Sequence, residues 1–196
     1  PVNMKAGYNF RVNNLPTDST YTITETTLPP GFHFNKAALS ITDGTGKDST
    51  FKAGKTSTGT IESTNTEYTV TYTNVYELVD VTVKKVWADS SDLNGIRPDE
   101  LELTLNGLPD DVDAPEPEIT GADTNTWTYT WKDLPKYDND TEITYTVSEN
   151  SVPTGYEVSG SPANSGGTIT NTLSTGNLKI TKEITGLPDG AVPEDL

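Results

Sequence analysis

A lysine amine that has lost its proton is a nucleophile, and a nearby carboxyl can move protons for it. Lys85, Glu149 and Asn171 are set for such chemistry by the alternation around them. Along a strand, residues i and i+2 share a face. Val81, Val83, Lys85 and Trp87 therefore share one face, apolar apart from the lysine. Ile143, Tyr145, Val147 and Glu149 share another, apolar apart from the glutamate. Ile169, Asn171 and Leu173 share a third, apolar apart from the asparagine. One such lysine alone would read as a strand residue snorkelling to solvent. Three single polar intruders on three apolar faces read differently, because an unpaired buried Lys or Glu costs on the order of several kcal/mol. The three residues are expected to meet in one core.

Desolvation disfavours the charged form of both ionisable groups. Lys85 is expected to shed its proton and Glu149 to keep one. Glu149 then hydrogen-bonds the Asn171 side-chain carbonyl and polarises it, Lys85 Nζ attacks Cγ, and Glu149 passes protons to the leaving amine. Ammonia departs and an amide joins two strands, in a single turnover whose entropy cost the core has already met. The bond would tie residues 86 positions apart. A loop-entropy estimate of the kind used for disulfides gives roughly 4–5 kcal/mol of stabilisation.

Strands are the elements able to hold such faces. Period-two alternation runs through residues 20–25, 67–75, 79–87, 101–106, 126–131, 142–149 and 168–173. Turn clusters separate the runs, among them Pro29-Pro30-Gly31, Asp43-Gly44-Thr45-Gly46, Asn106-Gly107-Leu108-Pro109 and Pro153-Thr154-Gly155. No segment carries a convincing helical stripe. Short strands with regular turns predict an all-β sandwich. Phrases also recur. Tyr21-Thr22-Ile23-Thr24-Glu25 is echoed by Tyr145-Thr146-Val147-Ser148-Glu149, each followed by a Pro-containing turn and Gly-aromatic (Gly31-Phe32, Gly155-Tyr156). Asn74 is echoed by Asn171 and Lys85 by Lys182, both 97 residues apart. That is a domain-sized period. It predicts the later part of one domain over residues 1–76, a complete domain over 77–174 and the first strand of a further domain over 175–196. Linkers of a few residues imply a stiff rod.

The central segment resembles the B-type repeats of the collagen adhesin, a family of Gram-positive surface proteins and sortase-assembled pilins. The matching phrases are Val83-Lys84-Lys85-Val86-Trp87, Arg97-Pro98-Asp99-Glu100-Leu101, Trp131-Lys132-Asp133-Leu134-Pro135-Lys136-Tyr137, Tyr145-Thr146-Val147-Ser148-Glu149, Gly155-Tyr156 and Ile169-Thr170-Asn171-Thr172. The resemblance implies a Lys85–Asn171 isopeptide bond with Glu149 as the acid, tandem reverse immunoglobulin-like sandwiches, and an extracellular, cell-wall-anchored location. The implied function is a structural stalk of an adhesin or pilus, whose partners are the neighbouring repeats. A ligand-binding module for a host matrix protein or glycan is the alternative.

The flanks match in part. Residues 1–76 carry Glu25 and Asn74 in the family positions with no lysine strand before them. Lys5 is a poor substitute, lying three positions before Tyr8, where the chain enters the counterpart of the Trp127 strand. Residues 175–196 show the mirror case: Leu178, Ile180, Lys182 and Ile184 share a face, with no counterpart of the Glu149 or Asn171 phrase to follow. Two explanations stand. The chain is cut from a longer array, as its opening Pro1-Val2-Asn3 suggests, or the tail strand completes the first domain by strand complementation, in its own or another copy, joining Lys182 to Asn74. The first domain also has 27 more residues between its Glu and Asn than the second, mostly within residues 35–64. They read as a plain surface insertion, with an extra hairpin or a ligand-facing insertion as the alternative.

Composition excludes much else. A formal net charge of −16 leaves no basic patch for nucleic acid or an anionic membrane. No apolar run nears a membrane helix and no signal-peptide pattern opens the chain. With no cysteine, disulfides and thiol chemistry are absent. His33 stands alone as a histidine, which argues against enzymatic use. Asp138-Asn139-Asp140 and Asp110-Asp111 with Asp113 invite a calcium reading, but neither has EF-hand spacing, and no cofactor or metal is expected. Trp127, Tyr129 and Trp131 alternate with threonines and are expected in the core rather than on a glycan-stacking face.

Overall fold

The computed structural model describes residue 4 and residues 7–42, 48–64, 66–183, 185 and 186. Lys5, Ile184 and the turn cluster at Asp43–Gly46 lie outside the described residues. Every regular element described is a strand.

In the central part, β-branched and aromatic residues at alternate positions build long ladders. Numbered in chain order, the strands here are β5 (Leu78–Ala88), β6 (Thr104–Asn106), β7 (Glu118–Thr120), β8 (Thr126–Pro135), β9 (Tyr137–Asp138), β10 (Thr141–Glu142), β11 (Thr146–Ser148), β12 (Tyr156–Ser159), β13 (Ala163–Asn164) and β14 (Thr168–Leu173). One sheet has the order β12-β14-β5-β8-β7 and the other β13-β11-β6. β14 pairs parallel with β5; the remaining pairs of these two sheets are antiparallel. Inward residues of both sheets, such as Val83, Trp131 and Ile169 from one and Leu105, Val147 and Ala163 from the other, form a single core. The two sheets are therefore a sandwich. Trp127, Tyr129 and Trp131 are buried in it, as their alternation predicts.

The N-terminal part holds β1 (Thr20–Thr24), β2 (Phe32–Ile41), β3 (Thr56–Thr60) and β4 (Tyr68–Tyr76), paired as β1-β3 and β2-β4. These pairs repeat half of the central sandwich, register for register. Phe32 faces Tyr76 and Phe34 faces Asn74, as Tyr156 faces Leu173 and Val158 faces Asn171. Ile23 faces Ser57 as Val147 faces Ala163. The turn into each aromatic uses a glycine in the left-handed region, with φ of 88° at Gly31 and 90° at Gly155. The span expected as a surface insertion contributes in part to the sheets. It prolongs β2 to Ile41 and supplies β3, because its Thr and Ser residues find partners along β4 and β1.

Counterparts of β5 to β8 are missing among the described N-terminal residues. Tyr8, Phe10 and Val12 carry the alternation that Trp127, Tyr129 and Trp131 carry in β8, yet they form no strand and are exposed. A strand needs a neighbour to bond to, and among the described residues none pairs with this stretch.

Glu77 joins β4 to β5 and ties the two parts. Its carboxylate accepts from Lys136 Nζ at 2.8 Å and meets His33 Nε2 at 3.0 Å. The Tyr137–Glu142 segment adds to this contact. Gly31 N donates to Tyr137 O at 2.6 Å, Leu28 N to Asn139 Oδ1 at 3.3 Å and Phe34 N to Asp140 Oδ1 at 2.5 Å. Lys55 pairs with Asp140.

Candidate functional site

Lys85 lies in the middle of β5, opposite Ile169 of β14 and Trp127 of β8. Asn171 is opposite Trp87, so it is the next inward residue of β14 beyond the partner of Lys85. Glu149 arrives from the facing sheet, one residue past β11, where its N–H donates to Ser161 Oγ at 2.9 Å. The structure brings the three side chains together. Lys85 Nζ donates to Glu149 Oε2 at 2.9 Å, and Asn171 Nδ2 donates to Glu149 Oε1 at 2.7 Å. Lys85 and Asn171 are 0% exposed and Glu149 is 6% exposed.

Burial pushes the Lys85 amine below its ordinary range, and the bond and charge of Glu149 oppose that shift. Nζ also lies 4.8 Å from the centre of the Trp87 ring. One feature differs from expectation. The amide nitrogen of Asn171 faces Glu149, while its Oδ1 is buried without a hydrogen-bond partner. Both Glu149 oxygens accept here, so neither donates to that carbonyl.

Around the triad lies a second polar cluster that the sequence reading passed over. Asp89 continues the inward face of Lys85 and Trp87 and is 3% exposed. Its carboxylate accepts from Arg97 Nε at 2.9 Å and Arg97 Nη2 at 2.5 Å, from Tyr156 Oη at 3.0 Å and from Asp92 N at 3.0 Å. The Arg97 guanidinium is the main reason that its pKa falls to about 2. Trp87 packs against Trp127 and Tyr156, with ring centres 5.3 and 5.1 Å away, and Arg97 lies over its ring. This cluster closes the core beside Lys85. The i, i+2, i+4 spacing of Lys85, Trp87 and Asp89 was the available signal.

The N-terminal part repeats two thirds of the triad. Asn74 Nδ2 donates to Glu25 Oε1 at 2.7 Å. Glu25 Oε2, the counterpart of the oxygen that holds Lys85, is buried without a partner, as is Asn74 Oδ1. Lys182 is far from both in role: it is exposed, in a stretch without strand structure. His33 is engaged by Glu77, and the Asn139 and Asp140 side chains bind the N-terminal part. Among the described residues no group of three or more His, Asp or Glu is placed to hold a metal.

The central part is thus an all-β sandwich with Lys, Glu and Asn sequestered in its core. Residues 81–172 match the Cna protein B-type domain. A collagen adhesin of Staphylococcus aureus is 39% identical over 82 residues, covering 41% of this chain and 7% of the adhesin. The chain thus spans a small fraction of that relative. Two solved structures are similar in fold. Two B repeat units of the S. aureus collagen binding protein share 23% identity over 81% of this chain and 50% of that one, with a TM-score of 0.37. A single B repeat unit shares 18% identity over 81% of this chain and all of that one, with a TM-score of 0.36.

Proposed function

We propose that the chain is a stalk segment of a Gram-positive adhesin or pilus, extracellular and held to the cell wall through its parent protein, with an autocatalytic Lys85–Asn171 isopeptide bond locking its central domain. The division into residues 1–76, 77–174 and 175–196 belongs to this reading. The observation that carries it is the fully buried lysine whose only carboxylate partner also holds the asparagine amide. An ordinary structural ion pair has no need of the third residue.

The chemistry follows from the geometry. Desolvation favours a neutral Lys85 amine, formed when its proton passes along the existing hydrogen bond to Glu149. Turning the Asn171 amide over presents Oδ1 to the newly protonated Glu149, which polarises the carbonyl. Nζ attacks Cγ, the Cγ–Nδ2 bond breaks, and Glu149 relays the proton that the departing nitrogen needs to leave as ammonia. The product is neutral, so it also removes a buried charge pair. No external substrate is consumed, and the family reading is of a domain rather than an enzyme. The test is the intact mass of the purified protein beside Glu149→Ala. A deficit of about 17 Da, present in the native chain and absent in the variant, is the expected result. A full mass in the native chain overturns the reading.

A further inference from the structure

We propose that the indole N–H of Trp87 is a catalytic donor for the cross-linking step: it binds the oxyanion that forms at Asn171 Oδ1, so that the amide reacts in the orientation found. The proposal rests on the isopeptide reading above and replaces one step of it, the turning of the amide.

Three observations carry it. First, among the described residues of the central sandwich, two buried side-chain atoms lack a hydrogen-bond partner, and they are complementary. Trp87 Nε1 has a proton to donate, and Asn171 Oδ1 has lone pairs to accept one. Unmade hydrogen bonds in a dry core are costly, and native cores leave few. Second, the two residues are directly opposed in the parallel ladder of β5 and β14, and they are 2% and 0% exposed. Neighbouring strands lie ~4.8 Å apart, so inward side chains of an opposed pair are within reach of each other. The centre of the Trp87 ring is also 4.8 Å from Lys85 Nζ, the atom that attacks. Third, the ring is held in place before the reaction begins. Trp127 and Tyr156 pack on it, and Arg97 lies over it while fixed by Asp89. A donor that need not reorganise is what a developing oxyanion requires. Trp127 is the contrast, because its Nε1 already donates to Thr124 O at 3.0 Å.

The roles then separate. Lys85 passes a proton to Glu149 Oε2 along the existing bond. Nζ attacks Cγ, the carbonyl electron pair moves onto Oδ1, and the Trp87 N–H closes on it. Catalytic hydrogen bonds that are long at rest tighten in this way as the reaction proceeds. Glu149, whose Oε1 already holds Nδ2, gives its proton to that nitrogen and takes the second proton shed by Nζ. The carbonyl re-forms, Cγ–Nδ2 breaks and ammonia leaves, with Glu149 left neutral. Were the amide turned instead, Glu149 would hold the oxygen and the leaving nitrogen would point away from it.

The test follows the 196-residue protein made by cell-free translation, quenched in denaturant at intervals and weighed intact. The native chain should lose about 17 Da. Trp87→Phe keeps an aromatic ring in the core and removes the N–H, and its loss should be slower by about a hundredfold. Trp127→Phe should keep the native rate. Protease resistance in the same samples times folding, so slow reaction in a folded chain is told apart from slow folding. If Trp87→Phe does not fold, benzothienylalanine at position 87 keeps the fused bicycle with sulfur in place of the N–H, and it should show the same slowing. A native rate in a folded chain without this N–H would overturn the proposal and leave the isopeptide reading standing, as would equal slowing by Trp127→Phe. A native chain at full mass would overturn both.

Discussion

The central sandwich and the N-terminal sheets contain the same glutamate–asparagine pair, bonded at the same 2.7 Å, in opposite circumstances. Around Asn171 a parallel neighbour strand closes the sheet, and the pair and its lysine leave water. Around Asn74 no such neighbour strand is found among the described residues, and both residues are half-buried. One strand thus supplies three things at once: the centre of a sheet, the partner that lets β8 form, and the cation of the site. The local Glu–Asn contact needs none of these. It follows from the β-turn-β phrases on either side of Gly31 and Gly155. What the missing strand removes is the desolvation that turns a hydrogen-bonded pair into a reactive one.

The comparison is broken most severely by Asn171→Ala, which leaves Lys85 and Glu149 as an uncross-linked pair. Urea unfolding of the central sandwich should show a loss of about 4–5 kcal/mol, the loop-closure worth of the bond. Arg97→Ala should come next. It leaves Asp89 buried without its cation, a defect worth about 3 kcal/mol in chemical denaturation, and the N-terminal sheets should be indifferent to it. Acid sharpens the same contrast. The folded-state pKa of Asp89 is depressed to about 2 from an ordinary 3.8. Its contribution is therefore complete above about pH 4 and is lost as pH falls towards 2, amounting to about 2 kcal/mol. A pH titration of stability should show that loss, and Asp89→Asn should flatten it. Asn74→Ala is the mildest change. It deletes one half-buried hydrogen bond, about 1 kcal/mol or less, far below the effect of its central counterpart. If thermal melts give the two asparagine variants equal losses, the distinction between a closed and an open site is wrong.

Much of the site was legible before any coordinates. Lys85, Glu149 and Asn171 could be placed together because a strand has a period of two and an apolar face tolerates few charges. The 97-residue repeat matched Asn74 to Asn171 and Lys182 to Lys85, and the recurring Tyr-Thr-x-x-Glu phrase matched Glu25 to Glu149. Harder to see was the Asp89–Arg97–Tyr156 cluster, since its members are 8 and 67 positions apart and no alternation links a loop arginine to an aspartate just past the end of β5. The strands within the span 35–64 were hidden for a related reason. Its Ser, Thr and Gly residues have a loop-like composition, and only the ladder with β4 and β1 makes them strands.

The sequence by itself determined which residues alternate, which faces are apolar, where the turns fall and at what period the pattern repeats. These are local properties, fixed by side-chain type and backbone geometry. Only the tertiary structure decided which strands find partners. Tyr8, Phe10 and Val12 have the pattern of a core strand and lie exposed, while Trp127, Tyr129 and Trp131 have the same pattern and are buried. It also decided that the Asn171 amide turns its nitrogen to Glu149, and that Asn139 and Asp140 reach across to Leu28 and Phe34. Ladder pairing and buried hydrogen bonds join residues distant in the chain, so their outcome depends on what is present to pair with, which no single strand encodes.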